Sequence, residues 1–343
     1  MKNKSRENQK QIYFLYLITK FRNISLLAGL AIIFGIMSGG LFLSPKNLIN
    51  ILMRASIVGI VAIGQTLVLF SGGIDLSVGS LFSFSLVMNY VFLQMGYSPL
   101  IAAILGILVT MLVGIINGVL VVQTKVPAFI ITLSTMMMLG SINLTIVGAK
   151  AMMFAETKNM IEGLTEGIPM GFDLLPIFVW LILSLIVSQI MINTSYGYNL
   201  YALGGKETTA KYSGVNVKVV KSSVYVFSAF FAATAAFFYI YRLSNCKPDV
   251  GSVFLIQSIA ASVIGGASLF GGEGNVMGTI IGAIIMVMTL NFMNIMRIDP
   301  YIQTIIQGII LIAAVFGLGK LANLERFLSL DMLKSDVDTK KSS

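Results

Sequence analysis

Residues 54–94 read RASIVGIVAIGQTLVLFSGGIDLSVGSLFSFSLVMNYVFLQ, two apolar runs joined by a short turn of small residues. A helix needs about 20 apolar residues to cross a bilayer. The runs 54–71 and 75–94 meet that length on either side of Gly72-Gly73, a pair that permits the tight reversal of a membrane hairpin. The pattern continues outward in both directions. Apolar runs fall at 24–43, 54–71, 75–94, 99–122, 127–148, 174–193, 221–242, 254–270, 276–296 and 301–320. This spacing predicts an all-α, polytopic integral membrane protein with about ten transmembrane helices. Pro45, Pro99, Pro127 and Pro300 stand where a helix can start but not continue.

Composition points the same way. The 343 residues are 57% hydrophobic and 11% charged, with a mean hydropathy of +0.91, whereas soluble domains are about 45–50% apolar and about 25% charged. The basic segment Met1–Arg22 resembles the start of a signal peptide, but the run after it is too long and lacks a small-residue cleavage site, so it reads as a retained first span. The chain contains no histidine, and Cys246 is its single cysteine. A His/Cys metal site, a Ser-His or Cys-His dyad and an internal disulfide are therefore excluded. An aspartyl hydrolase would want two embedded acids, and Asp75 is the one acid near a span interior. Neither an enzyme nor a resident cofactor is expected.

The net charge of +9 sits in tails and loops, which fits membrane orientation and not nucleic-acid binding. If the N-terminus lies inside, the inner side collects 16 of the 23 basic residues, among them Lys2 to Arg22, Lys125, Lys206, Lys211, Lys218, Lys221 and the Lys320–Lys341 tail. The outer side collects 7: Lys46, Arg54, Lys150, Lys158, Arg242, Lys247 and Arg297. Both termini are thus expected in the cytoplasm. The chain divides into a cytoplasmic tail (1–23), a membrane domain (24–320) and a second cytoplasmic tail (321–343). An outer loop at about 149–173 carries Glu156, Glu162, Glu166 and Asp173, suited to a solvated loop or a partner contact.

Three segments stand apart. The first hairpin is SGGIDLSVGS, residues 71–80, in which Asp75 is placed to accept hydrogen bonds as an N-cap of the next helix. Gly72, Gly73, Asp75 and Ser77 there suit a gate element, or Asp75 suits an ion-coupling carboxylate. The second is the inner loop at about 194–220, with room for a short helix between Gly205 and Gly214, the latter acting as its stop. Such a helix fits either the transmission of motion from a partner or plain interfacial packing. The third is GGASLFGGEGNVMGT, residues 265–279, whose small residues allow close approach. At an offset of 199, Gly72, Gly73, Gly79 and Ser80 fall on Gly271, Gly272, Gly278 and Thr279, an echo of the duplicated halves common in transporters. No P-loop sequence is present, so any ATP used is hydrolysed by another polypeptide.

Together these segments resemble the permease subunit of bacterial ABC importers of the ribose and related-sugar class, over about residues 40–320. The family's GIDLSVGS hairpin is intact at Gly73–Ser80, its inner-loop pattern is matched from Tyr201 to Val217, and its late glycine pattern from Gly265 to Thr279. Departures are Leu255 and Gln257 where an acidic pair is common, Glu273 and Asn275 where basic residues are, and Tyr198 in place of a frequent Arg. The resemblance implies a sugar permease of the bacterial plasma membrane. It implies a homodimer or a pairing with a similar permease, a separate extracytoplasmic solute-binding protein, and a cytoplasmic ABC ATPase that carries the ATP and magnesium. The ATPase-coupling residues it implies are Tyr201, Gly204, Gly205, Glu207, Ala210, Ser213 and Gly214, with Gly271 and Gly272 joining the hairpin glycines as gate residues. Candidate pathway groups are the amides Gln65, Asn89, Gln257, Asn291, Asn294, Gln303 and Gln307, which otherwise bond neighbouring helices. The alternative is an ion-coupled secondary transporter using Asp75.

Overall fold

The computed structural model describes residues 22–124, 126–154, 174–243 and 245–316. Both tails, most of the outer loop with Glu156, Glu162, Glu166 and Asp173, and Lys125 lie outside the described residues. The elements are α1 (Arg22–Met37), α2 (Pro45–Phe70), α3 (Val78–Gln94), α4 (Pro99–Gln123), α5 (Ala128–Val147) and β1 (Met152–Met153). They continue with α6 (Leu175–Asn193), α7 (Ser195–Gly205), α8 (Glu207–Tyr212), α9 (Val217–Arg242), β2 (Asn245–Cys246), α10 (Ser252–Ile264), α11 (Val276–Ile295) and α12 (Pro300–Phe316). The fold is an all-α membrane bundle, and β1 and β2 are a two-residue antiparallel pairing, Met152 opposite Cys246.

Six of these helices, α2, α4, α5, α6, α9 and α11, are long and apolar enough to cross a membrane. The other four apolar helices, α1, α3, α10 and α12, are shorter. α10 differs most from expectation. Its 13 residues rise about 20 Å at 1.5 Å per residue, against a hydrocarbon core of about 30 Å. The apolar run 254–270 is therefore not one helix: Gly265 caps α10 and Gly266 takes φ +104°, after which the chain runs on without regular structure to Asn275.

Helix starts were also misplaced by the apolar pattern. α2 begins at Pro45, nine residues before the predicted run, and carries Lys46, Asn47 and Asn50 in its first two turns. Asn47 exchanges both amide hydrogen bonds with Asn291 of α11, at 3.0 and 2.9 Å, so a polar start is stabilised by a partner helix. α9 begins at Val217 behind Asn216, whose Oδ1 accepts from the Val219 amide at 3.4 Å. α3 begins at Val78, not at Asp75.

α2 is the central helix. Every residue from Ala55 to Phe70 is buried, packed against α6, α9, α10 and α11. Burial on all sides explains its apolar character around the whole circumference. Helix pairs elsewhere close through small residues four apart. Gly114 and Gly118 of α4 face the α9 backbone, where a methyl on Gly118 would stand 2.5 Å from the Ser222 carbonyl oxygen. Gly278 and Gly282 of α11 face the Gly265 and Ala261 carbonyls of α10 in the same manner. In an apolar solvent, such close contact and not hydrophobicity holds helices together.

Candidate functional site

The three singled-out segments converge at one end of the bundle. α2 ends at Phe70, and Gly72 turns the chain at φ +76° while its amide donates to Leu69. In the late loop, Gly271 and Gly272 take φ +86° and +73°, and the Gly272 amide donates to the Phe70 carbonyl at 3.0 Å. Between these two turns sits Gly204, near the C-terminus of α7. A Cβ there would collide with the Phe70 carbonyl oxygen and the Gly272 amide nitrogen. A Cβ on Gly271 would come within 2.7 Å of Gly72 and 2.8 Å of the Gly204 oxygen. Three chain segments thus touch backbone to backbone, and only glycine lets them. Tyr201, one turn earlier on α7, adds a clamp: its hydroxyl donates to the Gly274 carbonyl at 3.0 Å and its ring lies 5.0 Å from that of Phe70. Burial pushes the Tyr201 phenol above its ordinary range, so it stays protonated as that donor.

The inner loop holds two helices where one was expected. α7 is capped by Thr194, whose Oγ1 accepts from the Gly197 amide, and it anchors through buried Leu200 and Leu203. α8 is the short helix foreseen between Gly205 and Gly214. It ends with Gly214 at φ +86°, the Val215 amide bonded to Ala210 and the Gly214 amide to Lys211. That pair of bonds is the Schellman arrangement that stops a helix at glycine. Ala210 is turned inward and buried, so it is not a surface contact. Glu207, Ser213 and Gly214 are exposed, and Glu207 pairs with Lys221 at 2.6 Å. Tyr212 is 92% exposed, Phe270 90% and Tyr198 67%, large apolar groups presented at this end of the molecule.

Asp75 lies at the centre of a buried polar network and not at the surface cap expected of it. Its Oδ1 accepts from the Ser77 amide at 2.8 Å and from the Ser77 hydroxyl at 2.5 Å, and its Oδ2 accepts from Ser228 of α9 at 2.6 Å. Asn117 of α4 donates to the Ser77 hydroxyl at 3.1 Å and accepts from Thr135 of α5 at 2.6 Å. Thr132 of α5 accepts from the Leu76 amide at 3.1 Å. The hairpin is thereby tied to α4, α5 and α9. Asn117, Thr132, Thr135 and Ser228 were missed from sequence, although an amide inside the apolar run 99–122 is the signal that marks Asn117.

The pathway amides do not gather. Asn291 is spent on Asn47 and Asn294 accepts from Gln303 at 2.9 Å, so these three bond helices to one another, while Gln307 donates to the Gln303 carbonyl of its own helix at 3.3 Å. Gln65 is fully buried in α2 with neither polar atom bonded, and the Asn89 oxygen is likewise unbonded. Gln257 lines a cavity at the opposite end of the bundle from Gly72 and Gly204.

Residues 47–315 match the family described as the branched-chain amino acid transport system, permease component. The chain belongs to that family. Among its relatives is the ribose import permease of Haemophilus influenzae, 35% identical over 280 residues, which is 80% of this chain and 86% of the relative. The ribose import permease of Bacillus subtilis is 32% identical over 90% of this chain and 95% of its own length. The D-allose transport system permease of Escherichia coli is 33% identical over 91% and 95%. No solved structure matches. The chain is a multi-pass membrane permease similar to those of sugar ABC importers, and its relatives are transport proteins and not enzymes.

Proposed function

We propose that the chain is the permease subunit of a bacterial inner-membrane ABC importer. It carries a sugar or related polar solute into the cytoplasm, with a second permease subunit, an extracytoplasmic binding protein and separate ATPases that hold the ATP and magnesium. The observation that supports this most is the backbone junction at Gly204. It fastens the loop bearing α8 to both glycine turns, so a push on α8 is passed to the ends of α2 and α10 without slack. The exposed rings of Tyr212, Tyr198 and Phe270 give an ATPase an apolar surface to grip. Ala210 supports α8 from beneath, and Tyr212 is the contact.

Tyr212→Glu is expected to leave insertion intact and to lose both the co-purifying ATPase and solute uptake. Lys221→Ala is expected to change neither, because the exposed Glu207–Lys221 pair is worth at most about 1 kcal/mol. Co-purification in detergent together with uptake in cells checks both. Retention of the ATPase by Tyr212→Glu at the wild-type level would remove α8 from the interface. Orientation has its own test in a Cys246→Ser background. A cysteine replacing exposed Ser213 is expected to react only with reagent from the cytoplasm, and one replacing exposed Lys46 only with reagent from outside. Reaction of both from one side contradicts the hairpin order.

A further inference from the structure

We propose that the cleft between the α4–α5 turn, α8 and the first turn of α9 holds the head group of an anionic phospholipid, whose chains lie along α4 and α5. This goes beyond the importer reading and holds whatever solute is carried. The cleft has a volume of about 770 Å³ and reaches in to the hairpin at Gly72, Gly73 and Ile74. It lies at the end that the basic-residue bias assigns to the cytoplasm, where a membrane helix meets the head groups of the inner leaflet.

One side of the cleft is basic. Lys211 of α8 and Lys218 and Lys221 of α9 line it, against a single acid, Glu207. That acid is taken by Lys221 at 2.6 Å. Among the described residues, the side chains of Lys211 and Lys218 make no hydrogen bond or ion pair. Asn216, Val217 and Lys218 line the cleft as the cap and first two residues of α9, and the first amides of this 26-residue helix add a partial positive charge to that of the lysines.

The other side is apolar. Val122 and Phe129, from the end of α4 and the start of α5, line the cleft, and Phe129 is 48% exposed. α4 and α5 are also the least covered of the six long spans, with 28% and 17% of their most apolar stretch buried. An acidic protein segment would match the lysines but leave this wall bare. A phospholipid matches both, with its phosphate on the lysines and its chains on the exposed faces of the two helices, and basic pockets between spans on the cytoplasmic side are where such head groups bind. A head group seated here touches α8 and the hairpin at once, so it holds together the parts that meet at Gly204.

The test offers the detergent-purified permease equal amounts of dioleoylphosphatidylglycerol and dioleoylphosphatidylcholine, which share their chains and differ in head-group charge. Retained lipid is counted by native mass spectrometry. The anionic lipid is expected to be retained in at least about tenfold excess. The double variant Lys211→Gln with Lys218→Gln is expected to erase that excess, and Lys211→Arg with Lys218→Arg to keep it, both being monodisperse. Glycerol 3-phosphate, a phosphate without chains, is expected to leave the bound lipid in place. Equal retention of the two lipids by the wild type, or an excess that survives the glutamine pair, overturns the proposal. Displacement by glycerol 3-phosphate overturns it too, since the cleft then takes a soluble phosphate. So does a glutamine pair that keeps the lipid excess but no longer captures the ATPase, because the lysines then serve an acidic surface of that partner. Failure of the importer reading shows separately, as a wild-type permease that captures no ATPase, whatever lipid it retains.

Discussion

Gly204→Ala is expected to abolish solute uptake while Gly205→Ala leaves it near the wild-type rate. The two glycines are neighbours in α7 and identical in composition, so the difference rests on geometry alone. A methyl group on Gly205 points into open space. A methyl group on Gly204 meets the Phe70 carbonyl oxygen and the Gly272 amide nitrogen, the two atoms that are hydrogen-bonded to each other at 3.0 Å. Overpacking that flexible side chains can absorb costs about 1–3 kcal/mol. Here both obstacles are backbone, held by turns at Gly72 and Gly272 whose φ values are positive. Neither can rotate away, so α7 must shift from the ends of α2 and the late loop. That also pulls Tyr201 from Gly274 and opens the junction. The contacts that α2, α9, α10 and α11 make with one another are left in place, since the methyl group meets only the end of α2 and the late loop. Normal membrane abundance with uptake reduced at least about a hundredfold is therefore the expected phenotype, as befits a misplacement of about 1 Å remote from the chemistry. Uptake by Gly204→Ala equal to that of Gly205→Ala would show that the junction transmits nothing.

What could be read from sequence follows from which physical signals are local. The hairpin turns at 72–73 and 271–272 were legible because a left-handed backbone leaves glycine as its mark. The stop of α8 at Gly214 was legible for the same reason. The extent of the helices was not. Hydropathy sees solvent preference, whereas Asn47 and Asn50 at the start of α2 are satisfied by Asn291 and Arg242 from helices about 190 to 245 residues away in the chain, which no window contains. α10 shows the converse, since residues 254–270 are apolar enough to read as one span but Gly265 and Gly266 end the helix inside that run. Side-chain facing was equally hidden. Of the seven amides singled out, Asn291, Asn294 and Gln303 bond other helices of the bundle and Gln257 lines a cavity, because which way an intramembrane amide points depends on the rotation of its helix. Arg54 and Arg242 entered the sequence reading only as outer-side charges, and their meeting in one cavity needed the fold.

Asp75 separates the two transport classes, and its variants are expected to diverge. The carboxylate is wholly buried and takes three hydrogen bonds, two at Oδ1 from Ser77 and one at Oδ2 from Ser228. Asp75→Ala removes the acceptor and leaves the Ser77 and Ser228 donors facing an apolar gap, at about 1–3 kcal/mol for each buried group left unmade. The hairpin then loses its tie to α9, and Asn117, which reaches it through Ser77, loses its footing too. Lower membrane abundance and a lower melting temperature in detergent are expected. Asp75→Asn is different. Its amide oxygen can take the Oδ1 position and keep both Ser77 donors, while its NH₂ group donates to the Ser228 oxygen, whose own proton turns to a carbonyl of α9. Every polar group stays paired and a buried charge is gone, so near-normal abundance and ATP-driven uptake are expected. A secondary transporter demands the opposite, because an amide cannot carry a proton through a cycle. Vesicles decide it: uptake by the wild type under a proton gradient without any ATPase, abolished in a well-folded Asp75→Asn, would make Asp75 the coupling group and end the importer reading. Uptake that requires the ATPase and survives Asp75→Asn leaves this carboxylate as a structural knot, joining the hairpin that α7 touches to the helices α4, α5 and α9.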